Sequence, residues 1–418
     1  MIIINSLKRK ISSELLFMIS VLVVNGGNYL YNLILGRILG PTLFADAAIL
    51  ITLLLTLSFV AMTFQLVTAK FSILFRVKTF KRFVSSMYKS ALFLGVSFGV
   101  LIIVFASELQ EVFKTSSSLM FVVFGIGVPI YFLMSINRGV FQGKKEFNSL
   151  SITYQTEMVS RLLVTLLLLL AFGIESPVII ALGIIISFVF GMIPFKTKMF
   201  SLKRNSRIRD TYKKQIKLFF ILTAFYELTQ IIINNSDILL VKHYFEPYDA
   251  GLYASLALIG RMVYFIAWMF VMLLLPKVIH LKKEGKKTSR VLFKYIGYIT
   301  FLSCIIITSC VLFPETIVRL LFGVSYLGIS PLLWKYALAT SIFAISNIFA
   351  YYYLSLDKYV PVIISGVFGL LQVFLIVWFH ESLEQVVHVQ IIAMFLLLIV
   401  QLLFYKIIAR STKRKVFK

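Results

Sequence analysis

Charged side chains lie inside several long apolar stretches of this chain, and they are the residues with the most chemistry available to them. A charge at the centre of a membrane helix costs about 2.5–3.5 kcal/mol on insertion scales, so each such group needs a partner or a water-filled cavity. A guanidinium can bind an anion through paired hydrogen bonds, whereas a carboxylate can pair with a cation or take up a proton. The charged positions of this kind are Arg37, Arg161, Arg261, Lys335, Glu157, Glu227 and Asp237.

The spacing of these charges indicates which of them could pair. Arg161 follows Glu157 by four residues, which places both on one helix face, where they form a structural ion pair or line a cavity. Asp237 and Arg261 are expected at similar depth in the outer halves of adjacent antiparallel helices. There they pair with each other or contact a substrate or an ion. Arg37 lies near the outer end of the first apolar stretch, where it reaches the lipid head groups or faces a cavity.

Asparagine side chains form a second group of candidates. Asn25 and Asn28 lie at helical spacing on one face of the first apolar stretch, beside a Gly-Gly pair that allows a bend or a close approach. Asn234 and Asn347 lie in apolar stretches further along the chain. A polar stripe on a membrane helix faces either water or a neighbouring helix, to which its amides would hydrogen-bond.

The sequence carries no recognisable signature of an enzyme, a metal site or a cofactor site. Its four histidines are scattered, and Cys304 and Cys310 lack the spacing of a metal-binding pair. Segment 139–145 (GVFQGKK) has the wrong spacing for a phosphate loop and is more typical of a turn that ends a helix. The longest outer loop, about 314–327, is too short for a catalytic domain. We therefore expect no catalytic residue, metal or cofactor.

Twelve apolar stretches position these side chains. Each has roughly 20 residues or more, enough to cross a hydrocarbon core about 30 Å thick as a helix. With 60% hydrophobic and only 14% charged residues, the composition is not that of a soluble protein. The sequence thus predicts an all-α integral membrane protein with twelve transmembrane helices. The stretches cover approximately residues 12–35, 45–69, 84–106, 119–141, 149–172, 177–195, 218–241, 251–276, 291–313, 328–354, 360–379 and 386–408.

The 42 Lys and Arg residues are concentrated in alternate breaks between these stretches. Because cytoplasmic loops carry an excess of Lys and Arg, this pattern predicts that both termini are cytoplasmic. The net charge of +25 therefore belongs mainly to loops that flank helices, where basic residues meet anionic lipid head groups. We expect these basic residues to contact membrane lipids and not nucleic acid.

The two halves of the chain repeat each other weakly. Segment 35–50 aligns with segment 240–256, which matches Arg37 to Lys242 and Pro41 to Pro247. An offset of about half the chain predicts two six-helix lobes related by a parallel repeat. We predict an N-terminal lobe over residues 1–200, a basic cytoplasmic linker over 201–217 and a C-terminal lobe over 218–418.

Three segments resemble a known family. They are LGRILGPTLFADAAIL after the first stretch, NRGVFQGKKEFNSLSITYQTEMVSRLL across the fourth and fifth, and INNSDILLVKHYFEPYDAGLYASLALIGR across the seventh and eighth. They are similar to bacterial polysaccharide-export flippases, the Wzx-like branch of the MOP superfamily. The resemblance implies a V-shaped, two-lobed carrier of the bacterial cytoplasmic membrane. It would move an undecaprenyl-pyrophosphate-linked glycan from the inner to the outer leaflet by alternating access.

Such a carrier would serve the synthesis of a surface polysaccharide, beside the glycosyltransferases and polymerase of the same pathway. A pyrophosphate needs fixed cations, for which Arg37, Arg161 and Arg261 are the candidates. Amides would face the sugars, and we assign this role to Asn25, Asn28, Asn234 and Asn347. The candidates for coupling to an ion are Asp237, Glu227 and Glu157. Two alternatives stay open: a MATE-like, cation-coupled exporter of small molecules, and a non-transporting membrane subunit of a glycan-synthesis complex.

Overall fold

The computed structural model describes residues 13–172, 176–195, 210–264, 274, 278, 281–282, 284–356 and 358–416. Within these ranges every regular element is a helix, which confirms the predicted all-α fold. The first part of the chain forms α1 (Ser13–Leu74), α2 (Val77–Val104), α3 (Ala106–Val112), α4 (Leu119–Gly143), α5 (Phe147–Phe172) and α6 (Pro177–Gly191). The second part forms α7 (Asp210–Tyr244), α8 (Pro247–Gly260), α9 (Ser289–Leu312), α10 (Pro314–Leu321), a 3₁₀ helix (Val324–Leu332), α11 (Leu333–Ser355), α12 (Val360–Trp378) and α13 (Leu383–Val416).

Helix α1 is interrupted at Gly40. It has 62 residues, and as one continuous helix it would be about 93 Å long, roughly three times the hydrocarbon thickness. Gly40 has φ 68° and ψ 176°, which is not helical and is readily adopted only by glycine. Pro41 follows and has no backbone N–H to donate. This break separates the parts of α1 that correspond to the first two predicted spans.

Nine of the described helices are long and apolar enough to cross a membrane. Many large apolar side chains point away from the protein, such as Phe93 at 72% exposure and Leu170 at 75%. Soluble proteins rarely expose apolar surface of this extent, whereas a bilayer accommodates it. Helix α6 is shorter than the nine, and the eighth predicted span extends beyond α8 into residues outside the described ranges. The number twelve therefore stays a prediction, while the multi-pass membrane fold is confirmed.

The predicted outer loop at 314–327 contains two short helical elements. Most of this segment is regular, because Pro314 begins α10 and the 3₁₀ helix follows directly. Pro314 occupies the first turn, where its missing N–H has no intrahelical acceptor in any case. Val318 of α10 is buried while Leu320 is exposed, so this short helix has two distinct faces. Hydropathy alone missed it because it is shorter than a membrane span.

The described residues form two compact units. Unit 1 contains residues 13–39 and 46–228, and unit 2 contains residues 40–45 and 229–416, so the division falls within α7. Residues 201–209 of the predicted linker lie outside the described residues, and residues 210–217 form the first turns of α7. The predicted lobe boundaries stay a prediction.

Close helix contacts hold unit 1 together. Gly99 of α2 faces Gly125 of α4, and a Cβ on Gly99 would come within 2.5 Å of the Gly125 carbonyl oxygen. Small residues at such contacts allow membrane helices to approach closely. Helix α6 packs on α5, where a Cβ on Gly183 would overlap the Thr165 hydroxyl. Helix α4 also packs against both α5 and α6, so the three helices are neighbours.

Unit 2 is organised around α11, which packs against α8, α9, α12 and α13. A Cβ on Gly260, at the end of α8, would overlap the ring of Tyr336 on α11. Segment 40–45 belongs to this unit, with the Phe44 ring 5.7 Å from that of Phe322 and 6.3 Å from that of Tyr326. The tight contact of α8 with α11 brings polar side chains of both helices together inside the unit.

Candidate functional site

Unit 1 contains a buried triad of charges formed by Arg138, Glu157 and Arg161, called the arginine triad below. Arg138 comes from α4, and the other two residues come from α5. Arg138 Nη2 donates to Glu157 Oε2 at 2.6 Å, and Arg161 Nη2 donates to Glu157 Oε1. The side chains of Arg138, Glu157 and Arg161 are 6%, 13% and 10% exposed. One carboxylate therefore holds two guanidinium groups in a largely buried position.

Hydroxyl groups of neighbouring helices anchor both arginines. Arg138 Nε donates to Thr153 Oγ1 at 3.2 Å, and its Nη2 also donates to the Thr153 carbonyl at 2.9 Å. Arg161 Nε donates to Ser187 Oγ of α6 at 3.3 Å. Thr153 and Ser187 donate their own protons to the carbonyls of Leu150 and Ile184 within the same helices. Their oxygen lone pairs are consequently available to the guanidinium groups.

Aromatic stacking and a glycine complete the surroundings of the triad. The Arg138 guanidinium carbon lies 4.0 Å from the ring centre of Tyr154, a cation–π contact. A Cβ on Gly191, at the end of α6, would lie 3.1 Å from Glu157 Cβ and 3.4 Å from Arg138 Nη2. Glycine at this position therefore leaves room for the triad.

The charge of the triad is not balanced. Each of the two guanidinium groups carries one positive charge, while Glu157 supplies a single negative charge. Among the described residues, no hydrogen bond is made by Nη1 of Arg138 or by Nη1 of Arg161. The site has a net positive charge and donors to spare, which is the electrostatic requirement for binding an anion.

A network of amides adjoins the triad. Gln65 Nε2 donates to Gln142 Oε1 at 2.9 Å and to the Tyr154 hydroxyl at 3.0 Å. Tyr154 is the same residue on which Arg138 stacks. Polar contacts therefore continue from the guanidinium groups to the amides of α1 and α4 within unit 1.

Unit 2 contains a second buried group, called the aspartate cluster below and formed by Asp237, Arg261, Tyr253, Tyr336 and Gln390. Arg261 Nη2 donates to Asp237 Oδ1 at 2.7 Å. The hydroxyls of Tyr336 and Tyr253 donate to Asp237 Oδ2 at 2.7 and 3.1 Å, and Gln390 Nε2 donates to it at 3.2 Å. The Asp237 side chain is 2% exposed. Here one carboxylate meets one guanidinium, and four donors satisfy the carboxylate.

A small, partly open pocket borders the aspartate cluster. Its lining includes Asn234, Thr340, Gln372 and Gln390 together with Asp237 and Arg261. Asn234 Nδ2 donates to the Gln230 carbonyl of its own helix at 2.8 Å. Of the predicted residues, the structure thus brings Asp237, Arg261 and Asn234 together.

Other predicted residues lie apart from both groups. Arg37 and Asn25 are exposed, and Asn28 is partly buried, with its carbonyl accepting from Asn32 Nδ2. Asn347 is buried, and its Oδ1 has no hydrogen-bond partner among the described residues. Glu227 is partly buried and forms no ion pair or hydrogen bond within the described part of the chain. Each of these positions stays a prediction as a site residue.

Arg138 was missed by the sequence analysis, as were Tyr253, Tyr336 and Gln390. Arg138 lies near the end of α4, next to a basic turn, which is a typical position for an arginine that anchors a helix at the membrane interface. It is nevertheless 5% exposed and contacts Glu157, 19 residues later, across the α4–α5 hairpin. No spacing in the sequence marks this contact, because it depends on how the two helices rotate against each other. The tyrosines and the glutamine carry no signal either, because an uncharged polar side chain in a membrane helix can equally well make a structural hydrogen bond to a neighbouring helix.

Comparisons with known proteins identify the family and the fold. The sequence model of a family described as "Polysaccharide biosynthesis protein" matches residues 34–331. An inward-facing multidrug resistance MATE family transporter of the MOP superfamily has a TM-score of 0.78 at 13% identity, covering 93% of this chain and 95% of that chain. The lipid II flippase MurJ, in an inward closed conformation, has a TM-score of 0.76 at 16% identity, covering 94% and 87%.

A further solved structure is a MOP superfamily transporter from Pyrococcus furiosus, with a TM-score of 0.60 at 14% identity, covering 95% of this chain and 94% of that chain. At these identities the likeness establishes the fold. No curated protein matches the chain by sequence.

Proposed function

Because this chain belongs to the polysaccharide biosynthesis protein family, we propose that it flips a polyprenyl-pyrophosphate-linked oligosaccharide across the bacterial cytoplasmic membrane. The fold is that of MOP superfamily transporters, and it is similar to the fold of the lipid II flippase MurJ. The observation that carries the proposal is the surplus positive charge of the arginine triad. Within the described part of the chain, its two guanidinium groups, Arg138 and Arg161, pair with a single carboxylate, that of Glu157.

A pyrophosphate fits this site for chemical reasons. The planar fork of arginine matches pairs of phosphate oxygens, and its hydrogen bonds to an anion are about twice as strong as neutral ones. Inside a membrane protein these interactions are further strengthened by the low local dielectric. The amides of Gln65 and Gln142 lie beside the triad and offer the hydrogen-bonding groups that sugar hydroxyls require. The polyprenyl tail would stay in the lipid.

The direction of transport follows from charge. Basic residues concentrate in alternate loops, which supports cytoplasmic termini and a cytoplasmic position for the turn at Lys144 and Lys145. Arg138 lies near that end of α4, so the cargo would first meet the triad from the inner side. Each negative charge that leaves a negative interior gains about 2.3 kcal/mol per 100 mV. Glycosyltransferases and a polymerase of the same pathway would supply and consume the cargo.

A second candidate function is the cation-coupled export of small molecules. Glu227 favours it, because a partly buried carboxylate without a partner in the described residues would suit a cation or a proton. The buried charges of the triad oppose it, since a cationic cargo would be repelled by their net positive charge.

Transport by purified protein in proteoliposomes tests the proposal. We expect Arg138→Gln and Arg161→Gln each to lower the flipping rate of an undecaprenyl-pyrophosphate-linked glycan by about 10- to 150-fold, since a hydrogen bond to a charged group contributes about 1.5–3 kcal/mol. Arg290→Gln removes an exposed arginine outside the triad and serves as the control. Wild-type rates in both triad variants would contradict the proposal. Export of a cationic dye that depends on Glu227 would support the second candidate instead.

A further inference from the structure

We propose that Glu157 is a resident counter-ion that occupies the phosphate position of the arginine triad and is displaced when the cargo binds. This inference rests on the proposed function and assigns the regulation of its site. Glu157 gives one oxygen to each arginine, Oε2 to Arg138 at 2.6 Å and Oε1 to Arg161. Two oxygens of one anion thereby bridge two guanidinium groups, which is how a phosphate would sit between them.

Glu157 is the member of the triad that is free to leave. Among the residues that the structure describes, only the two guanidinium groups hold its carboxylate, and it is the most exposed of the three side chains. The arginines have further anchors, which are Thr153 and Tyr154 for Arg138 and Ser187 for Arg161. If the carboxylate swings away, both arginines stay in position to receive a phosphate.

The aspartate cluster shows the opposite arrangement. Asp237 accepts from Arg261, from the hydroxyls of Tyr253 and Tyr336 and from Gln390, so several bonds would have to break before it could move. A carboxylate held in this way is a fixed partner of its arginine. The comparison shows that a buried carboxylate in this protein can accept from four side chains, whereas Glu157 accepts from two.

A displaceable counter-ion would make transport faster. A carrier must bind its cargo well enough to load it and weakly enough to release it. With two positive charges and no carboxylate, the triad would bind pyrophosphate tightly and release it slowly. Glu157 competes with the phosphate for the same donors, so it lowers the affinity and restores the closed triad after release.

Binding and transport measured together test this role. We expect Glu157→Gln to bind undecaprenyl pyrophosphate at least tenfold more tightly than the wild type, in full-length protein in lipid nanodiscs, and to flip the glycan-linked lipid more slowly. Undecaprenol, which lacks phosphate, measures the contribution of the tail and should bind equally to both proteins. Glu384→Gln is the matched control, because it removes the same charge from an exposed ion pair with Lys335. Its affinity should equal that of the wild type.

Two outcomes separate this inference from the proposed function. If the wild type binds undecaprenyl pyrophosphate and both arginine variants lose transport, equal or weaker binding by Glu157→Gln overturns the counter-ion role alone. If the wild type does not bind the lipid and the arginine variants transport normally, the proposed function fails. Should Glu157→Gln fail to elute as folded protein, Glu157→Asp decides, since its shorter carboxylate cannot span both arginines as well. An affinity no higher than that of the wild type in this variant would likewise overturn the inference.

Discussion

Removing the negative charge of Asp237 should destabilise the protein strongly, and removing Arg261 as well should restore most of the loss. In the aspartate cluster the two side chains are 2% and 11% exposed, so neither charge is hydrated when its partner is gone. Asp237→Asn leaves the guanidinium of Arg261 buried without a counter-ion. The double variant Asp237→Asn with Arg261→Met removes both charges but keeps an oxygen that can accept from the tyrosines.

The magnitudes follow from what each variant leaves unpaired. Breaking a buried ion pair by removing one partner costs about 3–5 kcal/mol. A neutral hydrogen bond between membrane helices contributes only about 0.6 kcal/mol on average, so the orphaned charge dominates the single variant. In the double variant the remaining losses are weakened hydrogen bonds to Tyr253 and Tyr336, about 1 kcal/mol in total. Adding Arg261→Met to Asp237→Asn should therefore restore roughly 2–4 kcal/mol of stability.

Thermal unfolding in detergent, followed by the loss of monodisperse protein, measures how much stability the second substitution restores. For a unit of roughly 150–250 residues, 1 kcal/mol shifts Tm by about 2–4 °C, so Asp237→Asn should lower Tm by at least about 6 °C. The double variant should stay within about 4 °C of the wild type. Glu384→Gln breaks an exposed pair with Lys335 and should change stability by less than about 1 kcal/mol. A stable single variant, or a double variant no better than the single one, would refute the reasoning.

Two further predictions concern packing and topology. Gly99→Ala should destabilise unit 1, because its Cβ would lie 2.5 Å from the Gly125 carbonyl oxygen, whereas Gly297→Ala has nothing within 4 Å and should be neutral or stabilising by up to about 1 kcal/mol. The two Tm values check this, and equal shifts would count against the close helix contact. In a variant without native cysteines, Lys286→Cys should react with a membrane-impermeant maleimide only after the cells are opened, and Glu315→Cys in intact cells. Labelling of Lys286→Cys from outside would reverse the predicted orientation.

Hydropathy predicted the helices of this fold because a membrane imposes a simple physical condition on them. A span must be apolar and about 20 residues long, so predicted 149–172 corresponds to α5 (Phe147–Phe172), and predicted 291–313 to α9 (Ser289–Leu312). The same condition says nothing about shorter elements. Helix α10 and the 3₁₀ helix lie where the sequence analysis expected a loop, because eight or nine residues cannot cross a bilayer.

Pairing within one helix was predictable, and pairing between helices was only partly so. The four-residue spacing of Glu157 and Arg161 suggested an ion pair, which the structure contains. The pair of Asp237 and Arg261 was one of two alternatives for charges at similar depth, and it is also present. Arg138 could not be assigned in this way, because its contact with Glu157 depends on how α4 and α5 rotate against each other. That rotation depends on side-chain packing between helices, such as the contacts of Gly191 with Glu157 and Arg138, which is visible only when the helices are assembled.

Arg138 changes the conclusion that can be drawn from charge. Counted along the sequence, the charges inside the apolar stretches are balanced, with Arg161, Arg261 and Lys335 against Glu157, Glu227 and Asp237. A balanced set fits an exporter of cations as well as a carrier of anions. In the structure Asp237 and Arg261 neutralise each other, which removes both from the count. In the arginine triad, by contrast, the single carboxylate of Glu157 lies between two arginines. A buried positive charge of this kind is costly unless an anion completes it, and the pyrophosphate of the proposed cargo would be such an anion.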